Sequence, residues 1–177
     1  MVTRRGKSLI SRTAAFGDLE SIRQEFRYEI AAYDQRAEPC SSCKTPGACC
    51  LDEHFVNVRI SRLEAEAINA AISNLRSEIR ERVLDRTRET ISRYKLDEVL
   101  DTSLATYACP LFEKGVGCLV HDTAKPLPCI AHACYENESD LPPDMLLDEA
   151  ETKVAEINRR AFGGNTPLTP IPLAILR

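Results

Sequence analysis

Tryptophan is absent from this chain of 177 residues, and aromatic residues make up only 6% of it. A surface that reads single-stranded nucleic acid by stacking its bases needs more rings than that. Positive charge does not take their place: 23 lysines and arginines stand against 27 aspartates and glutamates, a net charge of −4, which argues against a nucleic-acid partner. No apolar run approaches the ~18 residues of a membrane span, so no membrane partner is expected. The N-terminus carries Arg4, Arg5, Lys7 and Arg12 ahead of its first acid, Asp18. The apolar stretch that a secretory or twin-arginine signal requires nevertheless stops after Leu9-Ile10. Residues 1–17 are therefore expected as a flexible basic tail, and the protein is expected in the reducing cytoplasm, where disulfides do not persist.

Cysteine is missing from most of the chain, and where it occurs it is concentrated. All eight fall in two windows. The first reads Cys40-Ser-Ser-Cys43, then five residues, then Cys49-Cys50; the second holds Cys109, Cys118, Cys129 and Cys134. Four thiols in each window match the ligand number of a tetrahedral zinc or a cubane iron–sulfur cluster. Thiolate suits both, so ligand type does not choose between them. Two adjacent cysteines do not easily serve one relaxed tetrahedron. Cys49 and Cys50 are accordingly expected to face different partners, or to straddle a cluster or a two-metal site. His121, three past Cys118, and His132, between Cys129 and Cys134, are candidate ligands or hydrogen-bonding supports, as is His54, four past Cys50. The acidic stretch from Glu136 to Glu149 has no recognised hard-metal loop spacing and reads as a solvated helix start that favours negative charge.

Between these windows the pattern is helical. Leu19, Ile22, Phe26, Ile30 and Tyr33 recur at steps of three and four, which predicts a helix over 18–36 with Asp18 as its cap and Pro39 after its end. Pro46 and Gly47 mark a turn between Cys43 and Cys49. Residues 55–60 alternate and predict a short strand. Ser61 and Glu64 then form a capping box that opens one long helix to about Tyr94, with Leu63, Ala67, Ala71, Leu75, Ile79, Val83 and Ile91 as its stripe and Glu78/Arg82 and Glu89/Arg93 as surface pairs. Pro110, Gly115, Gly117, Pro126 and Pro128 make the second window loop-like, a segment ordered by what it ligates. A last helix is expected from Pro142 to Phe162, burying Met145, Leu146, Ala150, Val154 and Ile157 and ending at Gly163-Gly164. Three prolines in 166–176 predict an extended tail whose apolar residues pack back onto the helices or offer a strand to a protein partner.

The expected fold is mainly α: a small helical bundle with a loop-rich cysteine region and at most a short strand pair. Residues 18–162 form a single domain with the cysteine region at about 40–134, and 163–177 form a Pro-rich C-terminal tail. Both windows are expected to meet at one end of the bundle.

The order Cys40-x2-Cys43-x5-Cys49-Cys50, then Val58-Arg-Ile-Ser-Arg-Leu-Glu64, then Cys109-Pro-Leu-Phe, Gly117-Cys-Leu-Val-His121, Lys125-Pro-Leu-Pro-Cys129 and Cys134 resembles the CxxC…CC, or YkgJ-type, cysteine-cluster family of zinc- or iron-chelating domains. The chain has His121 where that family usually shows tyrosine, Lys125-Pro126 where it shows Arg-Pro, and Cys129-Ile130 where it shows Cys-Arg. The resemblance implies that Cys40, Cys43, Cys49, Cys50, Cys109, Cys118, Cys129 and Cys134 hold zinc or an iron–sulfur cluster, in a structural role or for metal or cluster carriage. Its members' names also allow an iron–sulfur oxidoreductase or a protein N-methylase-like enzyme. A zinc-stapled interaction module that makes contact through the C-terminal tail is the third reading. No catalytic triad, phosphate loop, dinucleotide fingerprint, H-E-x-x-H or C-x3-C-x2-C motif supports a particular reaction.

Overall fold

A computed structural model describes residues 9–37, 44–51, 56–98, 101–135 and 137–176. Among them the chain is mainly helical, as expected, with two short antiparallel strand pairs. Cys40, Cys43, His54, Phe55 and Pro39 lie outside the described residues, and the first helix ends at Asp34, two residues before the expected 36. No helix among the described residues is long and apolar enough to cross a membrane.

The first helix, α1 (Arg12–Asp34), begins six residues before the expected Asp18. Ser11 caps it, its hydroxyl accepting from the Ala14 N–H. The earlier start follows from Ala15, which is fully buried, and from Arg12, which pairs with Glu66 and lies over the Phe162 ring at 4.2 Å. Residues 12–17 are thus helix rather than tail. Leu19, Ile22, Phe26 and Ile30 face inward as their spacing predicts, and so does Arg23.

A single-turn helix, α2 (Ala48–Leu51), carries Cys49 and Cys50. Strand β1 is confined to Arg59–Ile60, and the capping box at Ser61 and Glu64 forms as expected. The long helix it opens is two helices, α3 (Arg62–Ser73) and α4 (Ser77–Tyr94). An apolar residue at every fourth position advances about 40° around a helix, so a stripe running from Leu63 to Val83 winds through roughly 200° and cannot stay on one side of a straight rod. The break at 74–76 resets the face. Arg82 does not need Glu78: it reaches Glu113 at 2.9 Å.

The second window is more regular than a loop. It contains a hairpin, β2 (Phe112–Glu113) and β3 (Gly117–Cys118), with Phe112 opposite Cys118, and a short helix, α5 (Leu127–Ala131), that carries Cys129. Pro128 fits there because the first helical turn has no use for its missing N–H. Helix α6 (Asp144–Phe162) follows and ends on Gly163 at φ 76°. It buries Ala150, Val154 and Ile157, but Met145 points to solvent, 62% exposed.

The tail is not simply extended. Thr169–Pro170 forms β4, antiparallel to β1, and Ile171–Ile175 forms α7, again with a proline in the first turn. Ile171, Pro172, Ala174 and Ile175 are buried, so the tail's apolar residues do pack back on the chain.

Two cores result, and α3 serves both. Leu63 joins α1, α5 and α6 in one, while Ala65, Ile68 and Ile72 join α4, α7 and the second cysteine window in the other. Buried polar groups fix α3 in place. Asn158 of α6 accepts from the Leu63 N–H at 3.0 Å, and the buried Glu64 carboxylate accepts from the Ser61 N–H and hydroxyl and from the Leu127 N–H. Glu64 therefore ties the start of α3 to the start of α5. Replacing it by alanine strands buried donors at both places, and Glu64→Ala is expected to lower the unfolding free energy by about 3 kcal/mol. Urea denaturation measures this; a loss under about 0.5 kcal/mol contradicts the assignment.

Candidate metal centre

The two cysteine windows are joined through their backbones. The Cys109 N–H donates to the Cys50 carbonyl at 2.7 Å, and two residues earlier the Tyr107 N–H donates to the Val56 carbonyl at 2.9 Å. The segment 107–109 is thus bonded to Cys50 of α2 at one end and to Val56 at the other. Fully buried Tyr107 anchors it: its hydroxyl donates to the Val58 carbonyl and accepts from the Ile171 N–H.

This pairing brings four thiols from different elements into one another's electrostatic reach. Cys50 comes from α2, Cys109 from the turn before β2, Cys118 from β3 and Cys129 from α5. All six described cysteines are half-buried and outside any disulfide. Enough protein surrounds the four that burial is the leading influence on each. It pushes Cys50 and Cys129 well above the ordinary thiol range, Cys109 up to about 12, and Cys118 upward. Neighbouring thiols add to this at Cys50, Cys109 and Cys129. Four such groups cannot all lose their protons by themselves; a cation must replace the charge.

The surrounding donors favour that exchange. The backbone N–H groups of Leu111 and Phe112 favour the charged form of Cys109, and the Val120 N–H favours that of Cys118, while the Phe112 N–H itself donates to the Cys109 carbonyl at 3.3 Å. An N–H two residues on that lies toward a cysteine favours negative charge on its sulfur. Lys125 acts on Cys118 and Cys129, and Arg86 on Cys109, in the same sense. Arg86 bonds the Pro110 carbonyl at 3.0 Å and reaches Glu113, yet its Nη2 is buried without an acceptor. A thiolate at Cys109 is an acceptor of the kind that nitrogen lacks. The donor set and its setting therefore fit a thiolate-bound metal, although among the described residues no three Cys, His, Asp or Glu side chains already stand as a ligand group.

The remaining candidates fall outside the four. Cys49, next to Cys50 on α2, adds to the upward push on the Cys50 thiol. Cys134 follows α5 and is half-buried. His121 is exposed and holds Asp122 through Nδ1 at 2.8 Å. His132 caps the end of α5 at the surface, and desolvation together with Lys125 keeps its imidazole below the usual range.

Arg86 and Tyr107 carry no motif in the sequence, and Lys125 stands out there only as the lysine where the resembled family shows arginine. Arg86 sits three residues past Val83, on the buried side of α4, and a charge at that spacing is the readable signal. Compared with protein-family models, with curated proteins and with solved structures, the chain matches none.

Gly47 seats the first window on the second. It lies at φ 86°, just before α2, and a Cβ there would run into the Phe112 ring. Gly47→Ala adds backbone strain to this clash, together about 1–3 kcal/mol. The expected result is that Cys50 reacts with a thiol reagent about tenfold faster while α1 amides keep their hydrogen-exchange protection. Unchanged Cys50 labelling rejects the contact as the one that seats α2.

Proposed function

We propose that this protein binds zinc or an iron–sulfur cluster through cysteine thiolates drawn from both windows, either to organise its own fold or to carry the metal or cluster. Cys50, Cys109, Cys118 and Cys129 are the described ligands in this reading, and Cys40, Cys43, Cys49 and Cys134 complete the set of eight. The observation that carries it is that four half-buried thiols from four different elements lie within one another's electrostatic reach, with backbone N–H groups favouring charge on two of them. A hydrophobic core seldom gathers four thiols without need of them, because any one is easily replaced by a small apolar residue. A bound metal would supply the positive charge that lets these thiols ionise together. The chain's own residues supply the rest: Arg86, Lys125 and the 111, 112 and 120 amides offset the negative charge that remains on sulfur.

The interaction-module reading gains no specific observation: Ile171, Ala174 and Ile175 of the tail pack within the chain, while Leu168 and Leu176 are exposed. The enzyme readings gain no specific observation.

Anaerobic purification followed by metal and acid-labile sulfide analysis tests the proposal. Zinc without sulfide, or iron with sulfide, is expected in the wild-type protein. Cys50→Ser, Cys109→Ser, Cys118→Ser and Cys129→Ser are each expected to lower the bound metal to less than about half, since a thiolate site that loses one ligand is greatly weakened. A wild-type protein that stays free of metal after reconstitution with zinc, and with iron and sulfide, contradicts the proposal.

A further inference from the structure

A second feature lies beside the cysteine region and shares Lys125 with it. Arg23 is a charged residue on the apolar face of α1, only 4% exposed. Its Nε is buried with no hydrogen-bond acceptor, its one described bond is a 3.4 Å contact from Nη2 to the Ala124 carbonyl, and among the described residues it forms no ion pair. Desolvation lowers its pKa more strongly than Glu64, already engaged by three donors, raises it. A buried guanidinium so poorly partnered is costly, and such a group is usually completed by an anion.

The surroundings provide room for one. Arg23, Arg27 and Lys125 line a cavity of about 230 Å³ together with Glu20 and Asp122. The two acids are already engaged, Glu20 with Gln24 and Asp122 with His121. Gln24 is neutral and Lys125 also acts on Cys118 and Cys129, so the poorly partnered cation here is Arg23, which suits a singly charged ligand better than a dianion. Glu20, Arg23 and Thr123 also border a second cavity of about 250 Å³, whose walls include Phe16, Leu19, Ala67 and Ala71. The cleft thus has a cationic end and an apolar end that meet at Arg23.

We propose that this cleft binds a small organic monocarboxylate, its carboxylate on Arg23 and Arg27 and its hydrocarbon part against α1 and α3. The site does not depend on the metal reading, because none of the cysteines lines it. Arginine suits the role, since its planar fork matches a carboxylate.

Nitrogen-15 NMR of the full-length protein as purified tests this with butyrate as probe. The Arg23 Nε–H resonance and the Thr123 and Ala124 amides are expected to shift saturably, with a dissociation constant in the ~1 mM range. Butyramide, of the same shape without the charge, is expected to leave them in place, and acetate, two methylenes shorter, to bind about tenfold more weakly. Arg27→Gln, at a half-buried position, is expected to weaken butyrate about tenfold while the rest of the spectrum holds. Arg23→Gln is expected to abolish the Thr123 and Ala124 shifts. Inorganic phosphate binding as tightly as butyrate overturns the assignment in favour of a general anion patch. No shift at about 20 mM butyrate, or an unchanged affinity in Arg27→Gln, overturns the site itself.

Discussion

The hydrogen bond from the Cys109 amide to the Cys50 carbonyl is the contact on which the cysteine region depends. It joins two windows separated in sequence by the whole of α3 and α4. Those helices place Ile68, Ile72, Val83 and Ile91 in the core against which Cys109, Cys118 and Cys129 pack. The thiols therefore sit at the edge of a hydrophobic core rather than on free loops. Burial in that position raises the cost of ionising any one of them, and their mutual proximity raises it further. A bound metal, as proposed, would relieve both effects at once, because it is held by the deprotonated form.

The same economy of contacts governs the other half of the molecule. Helix α3 meets the α1–α6 pair through Leu63 and the cysteine side through Ile68 and Ile72, and Glu64 fastens its start to α5, the helix that bears Cys129. Arg12 and Arg62 both lie over the Phe162 ring at 4.2 Å, bringing the starts of α1 and α3 to the end of α6. The position of Cys129 is thus set by packing on both sides of α3. The cleft at Arg23 opens along this same seam between α1, α3 and the residues that lead into α5.

The fold class was legible because helical periodicity is strong in α1, α4 and α6, and the capping box at Ser61 and Glu64 names its own residues. Boundaries were less so. Asp18 resembles a helix cap, but Ala15 and Arg12 find tertiary partners that extend the helix to Ser11. Proline misled twice, at Pro128 and Pro172, because both fall in first helical turns where no amide is needed. The stripe from Leu63 to Val83 hid a break, since steps of four look continuous in sequence while turning steadily around the axis. The cysteines as candidate ligands were evident from spacing alone. Which of them converge was not, because that depends on the pairing of 107–109 with the α2 segment, a contact between remote parts of the chain. Arg23 did leave a trace: it stands four past Leu19 and three before Phe26, a charge within the buried stripe.

The central claim is that sulfur from both windows surrounds one kind of metal centre. X-ray absorption at the metal edge of the anaerobically purified protein tests it most directly. Nearest neighbours that are sulfur, at about 2.3 Å for zinc, are expected. A shell dominated by oxygen or nitrogen would contradict it.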